Sequence, residues 1–221
     1  MKKDFASGLE LQKKGFINKE NSIKIRPLLI KNIWGLINRY IMAKFSGYPL
    51  TRWKGDRLMI LKEDFSYVDK TGKEWLALKG GVINGATIPR KLWSLIGSPF
   101  IGLYRRASVV HDYFVGEGDN PNVTYEERRK ADKMFFRACR TDGCSWRFAA
   151  MLYIGVSIGS WSSRNELKHS LFDENLKSLT VDEDMLIESK FKEITAKAGM
   201  IISEAESFES LESLVEEEIS F

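Results

Sequence analysis

The sequence is poor in the residues that build sulfur and imidazole sites. Its 221 residues contain two cysteines and two histidines. Two cysteines cannot form the disulfide framework of a small secreted domain, and Cys139 and Cys144 lack the second pair that a zinc site would need. We therefore predict two reduced thiols near a helix end, and any imidazole chemistry must use His111 or His169.

Long apolar runs are also missing. The longest uncharged apolar segment, residues 148–161, is shorter than the roughly 20 residues that a membrane-spanning helix needs. No apolar run follows the charged start of the chain, as it would in a secretory signal. We expect a soluble protein in a reducing compartment.

The composition is otherwise that of a folded domain, with charge divided unevenly along the chain. Hydrophobic residues make up 43% and aromatic residues 12% of the sequence, which is enough for a core. Residues 181–221 hold twelve acidic residues and three lysines, a net charge of −9, whereas the whole chain carries +4. This division fits an anionic partner for the basic part, an internal clasp, or solubility alone.

Hydrophobic periodicity predicts an α+β fold. Alternation of apolar residues predicts a small antiparallel sheet near residues 57–83, with a hairpin turn at 69–72, and residues 89–165 predict a mainly helical body that packs on it. An amphipathic N-terminal helix is predicted to begin near Pro27, and residues 146–161 predict a buried helix.

The same patterns predict three segments. Residues 1–55 form a basic N-terminal extension that carries the amphipathic helix, 56–165 form the core domain, and 166–221 form an acidic helical tail. The core and the tail differ in net charge, which is the main reason to separate them.

Two antiparallel helices are predicted to carry a histidine and an aspartate. The first spans about residues 104–115 and contains His111, and the second begins at a capping box formed by Thr124 and Glu127. The three- and four-residue spacing of helix faces allows His111 to face Asp132 on the second helix. A carboxylate on one imidazole nitrogen fixes the tautomer, so such a pair can take a proton from water.

Asp112 adds a different capability. Its side chain points about a quarter turn away from His111, toward the preceding glycine-containing loop. A hard cation such as Ca²⁺ takes carboxylate and backbone carbonyl oxygens, and it can polarise an ester carbonyl. The alternative is that the histidine and its aspartate are a satisfied polar pair in the core.

Four blocks follow one another in a specific order: GATIPRKLWSLIG, RRASVVHDYFV, ERRKADKMFFRA and AAMLYIGVSIGSW. Together they resemble the DUF1353 family of bacteriophages and prophages, over about residues 58–161. That family typically has aspartate at the position of Asn84 and often an aromatic residue at that of Val115. The resemblance implies a phage-encoded protein, which we expect in the bacterial host cytoplasm or in the virion.

The pair His111-Asp112, the loop GEGDNP and the later Asp132 are also similar to the phospholipase A2 pattern, especially its viral-capsid version. That resemblance implies that His111 activates water, that Asp112 binds Ca²⁺ and that Asp132 orients His111. Val115 departs from the pattern, because those enzymes have a tyrosine there that helps to hold the second aspartate.

The calcium-binding carbonyls would have to come from a glycine loop. The resemblance implies the loop from Gly97 to Gly102, or the one from Gly80 to Gly85, for this role. The usual Tyr-Gly-Gly calcium loop is not recognisable before the histidine, and the disulfides of those enzymes are absent.

Two functions remain open from the sequence. The leading one is a calcium-dependent hydrolase that acts on a lipid or another ester, with His111 as general base. The other is a non-catalytic phage protein that binds a host or virion protein through its acidic tail or basic body. A nucleic-acid partner is not expected, because the basic aromatic stretch at residues 48–57 belongs to no recognised nucleic-acid motif.

Overall fold

Six short strands precede six helices along the described part of the chain. The computed structural model describes residues 42–55, 58–85, 88–89, 92–97, 102–116, 123–164, 179–204 and 207–219. The strands are β1 (Lys44–Phe45), β2 (Thr51–Gly55), β3 (Leu58–Leu61), β4 (Phe65–Val68), β5 (Glu74–Ala77) and β6 (Val82–Ile83). The helices are α1 (Trp93–Ile96), α2 (Arg105–Val115), α3 (Tyr125–Thr141), α4 (Trp146–Arg164), α5 (Leu179–Glu204) and α6 (Phe208–Ile219). The predicted α+β class with a mainly helical body is confirmed.

The strands form two antiparallel sheets rather than the single predicted sheet. One has the order β1-β4-β5 and the other β2-β3-β6. The predicted hairpin is β4-β5, and its turn is held by Asp69, whose Oδ1 accepts N–H bonds from Thr71 at 2.8 Å and Lys73 at 3.2 Å. Strands β1 and β2 were not predicted. Strand β1 has only two residues, and β2 is largely exposed on both faces, so neither shows an alternation of apolar residues.

The two helices predicted around His111 are confirmed with nearly the predicted ends. Helix α2 ends at Gly116, which has a φ of 79° that favours glycine. Helix α3 begins at the predicted capping box, in which Thr124 Oγ1 accepts the Glu127 N–H at 3.2 Å and Glu127 Oε2 accepts the Thr124 N–H at 2.9 Å. Helices α2 and α3 pack against each other, and α2 also packs on strands β4, β5 and β6.

Helix α4 is the buried helix that the apolar run predicted. Its residues from Ala149 to Trp161 are buried with the exception of the half-buried Met151, and helices α1, α3, α5 and α6 pack around it. A side chain at Gly155 would come within 2.9 Å of Ile96 Cδ1. The glycine therefore permits the close approach of α1.

The acidic tail is held to the body within the same chain. Lys133 of α3 pairs with Glu212 of α6 at 2.5 Å, and Lys197 of α5 pairs with Glu218 of α6 at 2.6 Å. The ring of Phe208 stacks on Phe136 with centroids 4.4 Å apart. Part of the negative charge thus serves as the internal clasp that was one of the predicted explanations.

Several predictions fall outside the described residues. They include the N-terminal helix from about residue 27, the placement of His169 and residues 98–101 of the predicted Gly97–Gly102 calcium loop. The three-segment division of the chain stays a prediction. Among the described helices, none is both long enough and apolar enough to span a bilayer.

Candidate active site

His111 and Asp132 meet in the interior, where α2 packs on α3. The His111 Nε2 atom lies 2.7 Å from Asp132 Oδ1, and both side chains have an exposed fraction of 0%. The helix periodicity predicted that these two side chains face each other, and the packed helices bring them into hydrogen-bond contact. Phe135, one helical turn from Asp132, lies against the imidazole with ring centroids 5.0 Å apart.

The contact with Asp132 selects one tautomer of the neutral imidazole. An ionised carboxylate can only accept hydrogen bonds, so the proton must lie on Nε2, from which it is donated to Asp132. The other nitrogen, Nδ1, is then unprotonated, and it has no hydrogen-bond partner among the described residues. The site therefore holds an imidazole with one oriented nitrogen and one basic nitrogen.

Arg129 is the second partner of Asp132 and the centre of a buried polar network. Its Nη1 donates to Asp132 Oδ2 at 2.7 Å and to Ser157 Oγ at 2.6 Å. Its Nη2 donates to Tyr153 Oη at 2.9 Å and to Glu216 Oε1 at 3.0 Å. The guanidinium thus joins α3, which carries it, to α4 and α6.

The charge of Arg129 is stabilised despite its burial. Burial disfavours the charged form, but the carboxylates of Asp132 and Glu216 outweigh that effect and hold the pKa of Arg129 above its usual range. Glu216 is partly exposed, with 37% of its side chain accessible. The network therefore runs from the buried imidazole to the surface of the acidic helix α6.

Asp112 points away from the dyad, as predicted, but in the described part of the loop that it meets its contacts are with N–H groups rather than with carbonyls. Its Oδ2 accepts the backbone N–H of Gly85 at 2.6 Å and that of Asn84 at 3.2 Å. Its Oδ1 is buried and has no partner among the described residues. Burial raises the pKa of Asp112 to about 7, although a protonated His111 and the two N–H groups act in the opposite direction.

The two predicted glycine ligands, Gly97 and Gly102, lie beside Tyr104. A side chain built at Gly97 would meet Tyr104 Oη at 3.3 Å, and one built at Gly102 would meet Tyr104 Cε1 at 3.4 Å. Both glycines therefore border the Tyr104 ring, whereas the polar contacts of Asp112 run to Asn84 and Gly85.

The described residues around Asp112 fit Ca²⁺ poorly. Ca²⁺ takes about six to eight oxygen ligands. One oxygen of Asp112 is already engaged by two N–H donors, which leaves its Oδ1 as the oxygen without a partner. Within the described ranges, no three side chains of histidine, cysteine, aspartate or glutamate form a metal-binding group. Calcium binding by Asp112, Gly97 and Gly102 stays a prediction.

Replacing Asp112 by asparagine is expected to remove a pH dependence of stability. Burial raises the pKa of Asp112 from 3.8 to about 7, so the folded state binds the proton more tightly than the unfolded state. Its contribution is complete below pH 3.8 and is lost as the pH rises through about 7, a loss on the order of 2–4 kcal/mol.

Urea unfolding at pH 4 and at pH 8 measures this effect. The Asp112→Asn protein should lose less stability between the two pH values than the wild type. An equal loss in both proteins would show that Asp112 titrates normally.

A small pocket lies beside Asp112, between the β2-β3-β6 sheet and the first turns of α2. It is lined by Thr51, Met59, Ile83, Gly85, Arg105, Ser108 and Val109. The Ser108 hydroxyl donates to the Tyr104 carbonyl oxygen at 3.0 Å, a bond within the helix. The Ser108 side chain therefore forms part of the pocket lining.

Sequence reasoning overlooked Arg129, Tyr153, Ser157 and Glu216. For the first three residues, the sequence contains a pattern from which their contacts could have been predicted. Arg129 precedes Asp132 by three residues, a spacing that brings helical side chains together. Hydroxyl groups in an apolar buried helix such as α4 also require partners. Glu216 left no such signal, because it is one of many glutamates in the tail.

The fold and the site together define an α+β protein with a buried histidine-aspartate-arginine network between packed helices. Its sequence matches the model of the DUF1353 family, described as a protein of unknown function, over residues 59–156. The chain belongs to this family.

Two relatives come from Sinorhizobium fredii (strain NBRC 101917 / NGR234). The uncharacterized protein y4jT is 33% identical over 116 residues, which cover 52% of this chain and 33% of y4jT. The uncharacterized protein y4iH is 30% identical over 165 residues, which cover 58% of this chain and 69% of y4iH. The chain thus spans about a third of the first relative and about two thirds of the second. No solved structure matches this chain.

These comparisons support the resemblance to DUF1353. They do not extend to the phospholipase A2 pattern or to a phage origin, and both stay predictions.

Proposed function

We propose that this chain is an ester hydrolase in which His111 is the general base and Asp132 orients it. The observation that carries the proposal is the asymmetry of the imidazole. Nε2 is bonded to Asp132 at 2.7 Å, while Nδ1 has no partner among the described residues. This is the arrangement that proton abstraction from water requires.

The reaction needs no other ionisable group at the reacting atoms. His111 Nδ1 takes a proton from water as the water oxygen bonds to the ester carbonyl carbon. The resulting tetrahedral intermediate then breaks its bond to the leaving alcohol oxygen, which receives the proton from Nδ1. The products are a carboxylic acid and an alcohol, and the imidazole is again neutral.

Arg129 compensates for the departure at Val115. The phospholipase A2 resemblance led us to expect a tyrosine that helps to hold the second aspartate, and Val115 has no hydroxyl group. In this chain Arg129 Nη1 donates to Asp132 Oδ2 at 2.7 Å, so both oxygens of the carboxylate are bonded. The aspartate is thus oriented without a tyrosine at position 115.

The complete burial of His111 sets a requirement on the mechanism. Because the imidazole has an exposed fraction of 0%, water and substrate reach Nδ1 only through local opening of the surrounding structure. Bound Ca²⁺ would polarise the ester carbonyl. No step above depends on it, because the contacts of Asp112 fit the ion poorly.

His111→Ala is expected to lower ester hydrolysis by about 10²–10⁴-fold, because it removes the general base. Release of fatty acid from phospholipid and from short-chain esters would be measured with added Ca²⁺ and with a chelator. His169→Ala is the matched control, since it removes the other histidine of the chain. Equal background rates for the wild type and His111→Ala would overturn the proposal.

A non-catalytic function is the second candidate, and the burial of the dyad favours it. His111 and Asp132 are both inaccessible, and Arg129 ties them to Tyr153, Ser157 and Glu216. In that case the network stabilises the packing of α2, α3, α4 and α6, and the protein acts by binding a phage or host protein. His111→Ala would then lower the free energy of unfolding without any change in hydrolysis.

A further inference from the structure

Strand β2 and the residues before it carry an exposed surface that is both aromatic and cationic. We name as the β2 surface Tyr48, Leu50, Arg52, Trp53 and Lys54. The exposed fractions are 86% for Tyr48, 54% for Leu50 and 61% for Trp53, and both cations are exposed. Residues 42–55 contain three cationic residues and no carboxylate. Large apolar side chains that are grouped with charge of one sign mark an interaction surface.

The β2 surface continues into the pocket beside Asp112. Strand β2 lies at the edge of its sheet and is exposed on both faces. Because side chains alternate along a strand, Thr51 and Trp53 project from one face and Arg52 from the other, so the β2 surface runs along the free edge of the sheet. Thr51 lines the pocket together with Gly85. The Gly85 N–H donates to Asp112, whose side chain points away from His111.

The pocket itself combines an apolar lining with a cation. Met59, Ile83 and Val109 supply apolar side chains, and Arg105 of the first turn of α2 adds an exposed guanidinium. The free space in the pocket is about that of one water molecule, so it does not admit an acyl chain, and the lipid contacts must come from the exposed side chains of the β2 surface.

We propose that the β2 surface binds a phospholipid bilayer that contains anionic lipids. Trp53 and Tyr48 suit the boundary between headgroups and acyl chains, where aromatic residues concentrate. Arg52 and Lys54 pair with the lipid phosphates, which attract basic residues near a membrane surface. The inference rests on the proposed function for what is cleaved, whereas binding to the bilayer requires no catalysis.

The exposed apolar side chains favour a bilayer over nucleic acid. Nucleic-acid binding draws mainly on cations and on aromatic rings that stack with bases. Here an exposed Leu50 accompanies them, and aliphatic groups gain most from an acyl-chain environment.

Vesicle sedimentation of the full chain tests the inference. The wild type should sediment with vesicles of equal parts phosphatidylcholine and phosphatidylglycerol, more weakly with phosphatidylcholine alone, and less as salt is raised. The double variant Trp53→Ser, Lys54→Glu should bind the anionic vesicles at least about tenfold more weakly. The matched control is Leu186→Ser, Lys192→Glu on α5, where both original side chains are also exposed.

The same measurement can overturn the inference. It fails if the wild type does not sediment with anionic vesicles, if the β2 double variant binds as well as the control, or if the wild type retains double-stranded DNA but not vesicles. His111→Ala should bind vesicles like the wild type. Vesicle binding without hydrolysis would thus leave the β2 surface supported and the proposed function refuted.

Discussion

Replacement of Arg129 by leucine is expected to lower the free energy of unfolding by about 3–5 kcal/mol. The guanidinium is buried and donates to Asp132 Oδ2 at 2.7 Å, to Ser157 at 2.6 Å and to Tyr153 at 2.9 Å. Leucine fills much of the volume but supplies no donor. The Asp132 carboxylate would then be a buried anion with a single bonded oxygen.

Urea unfolding measures the loss, with Lys130→Leu as the control. Lys130 is the next residue of the same helix, and it is exposed. The same chemical change there should alter stability by less than about 0.5 kcal/mol. Equal unfolding midpoints for the two variants would show that the Arg129 network contributes little to the fold.

The difference between Arg128 and Arg129 shows how far the sequence determined the site. The four-residue spacing puts Arg128 on the helix face of Asp132, and both side chains are buried. The guanidinium that reaches Asp132 belongs to Arg129, whose three-residue spacing is as favourable as the four-residue spacing of Arg128. Helix spacing alone cannot choose between them, because the choice depends on where α4 and α6 supply partners.

The environment of Asp112 marks a second limit. The direction of its side chain followed from the hundred-degree step between helical residues. Whether the facing loop offers N–H or carbonyl groups depends on backbone dihedral angles, and residues 84–85 present two N–H groups. The expectation of a carbonyl-lined loop was wrong at this point for that reason.

The elements with strong local signals were predicted best. Helix α3 has a complete capping box, and α2 ends at a glycine with positive φ, so local chemistry determines both boundaries. Strand β2 has no such signal, because its side chains are exposed rather than alternately apolar, although it pairs with β3, the next strand along the chain. The β2 surface therefore became visible only in the fold.

The contacts of α6 connect stability with the proposed chemistry. Glu216 accepts from Arg129 Nη2 at 3.0 Å, and Arg129 in turn holds Asp132. Helix α6 lies beyond residues 59–156, which match the family model. In this chain an element outside the matched region therefore helps to orient the aspartate that fixes the imidazole.

Asp132→Asn is expected to reduce the proposed hydrolysis by about 10⁴-fold, the size of effect that the same substitution has in the triad of a serine protease. Arg129 Nη1 donates to Oδ2, so the amide oxygen of asparagine should take that position and its NH₂ group should face His111. Nε2 must then accept a hydrogen bond, which moves the imidazole proton to Nδ1. The basic nitrogen is lost although the side chain keeps its shape.

The tautomer of His111 provides a readout of this change that does not depend on catalysis. With two histidines in the chain, ¹⁵N–¹H correlation spectra contain two ring systems, and His169→Ala assigns them. The wild type should show His111 protonated at Nε2 and Asp132→Asn should show it protonated at Nδ1. Asp142→Asn is the control, because Asp142 is the α3 C-cap and pairs with Arg106 rather than with a histidine. An Nε2-protonated ring in Asp132→Asn, or an undiminished rate, would contradict the role of Asp132 as the group that sets the tautomer.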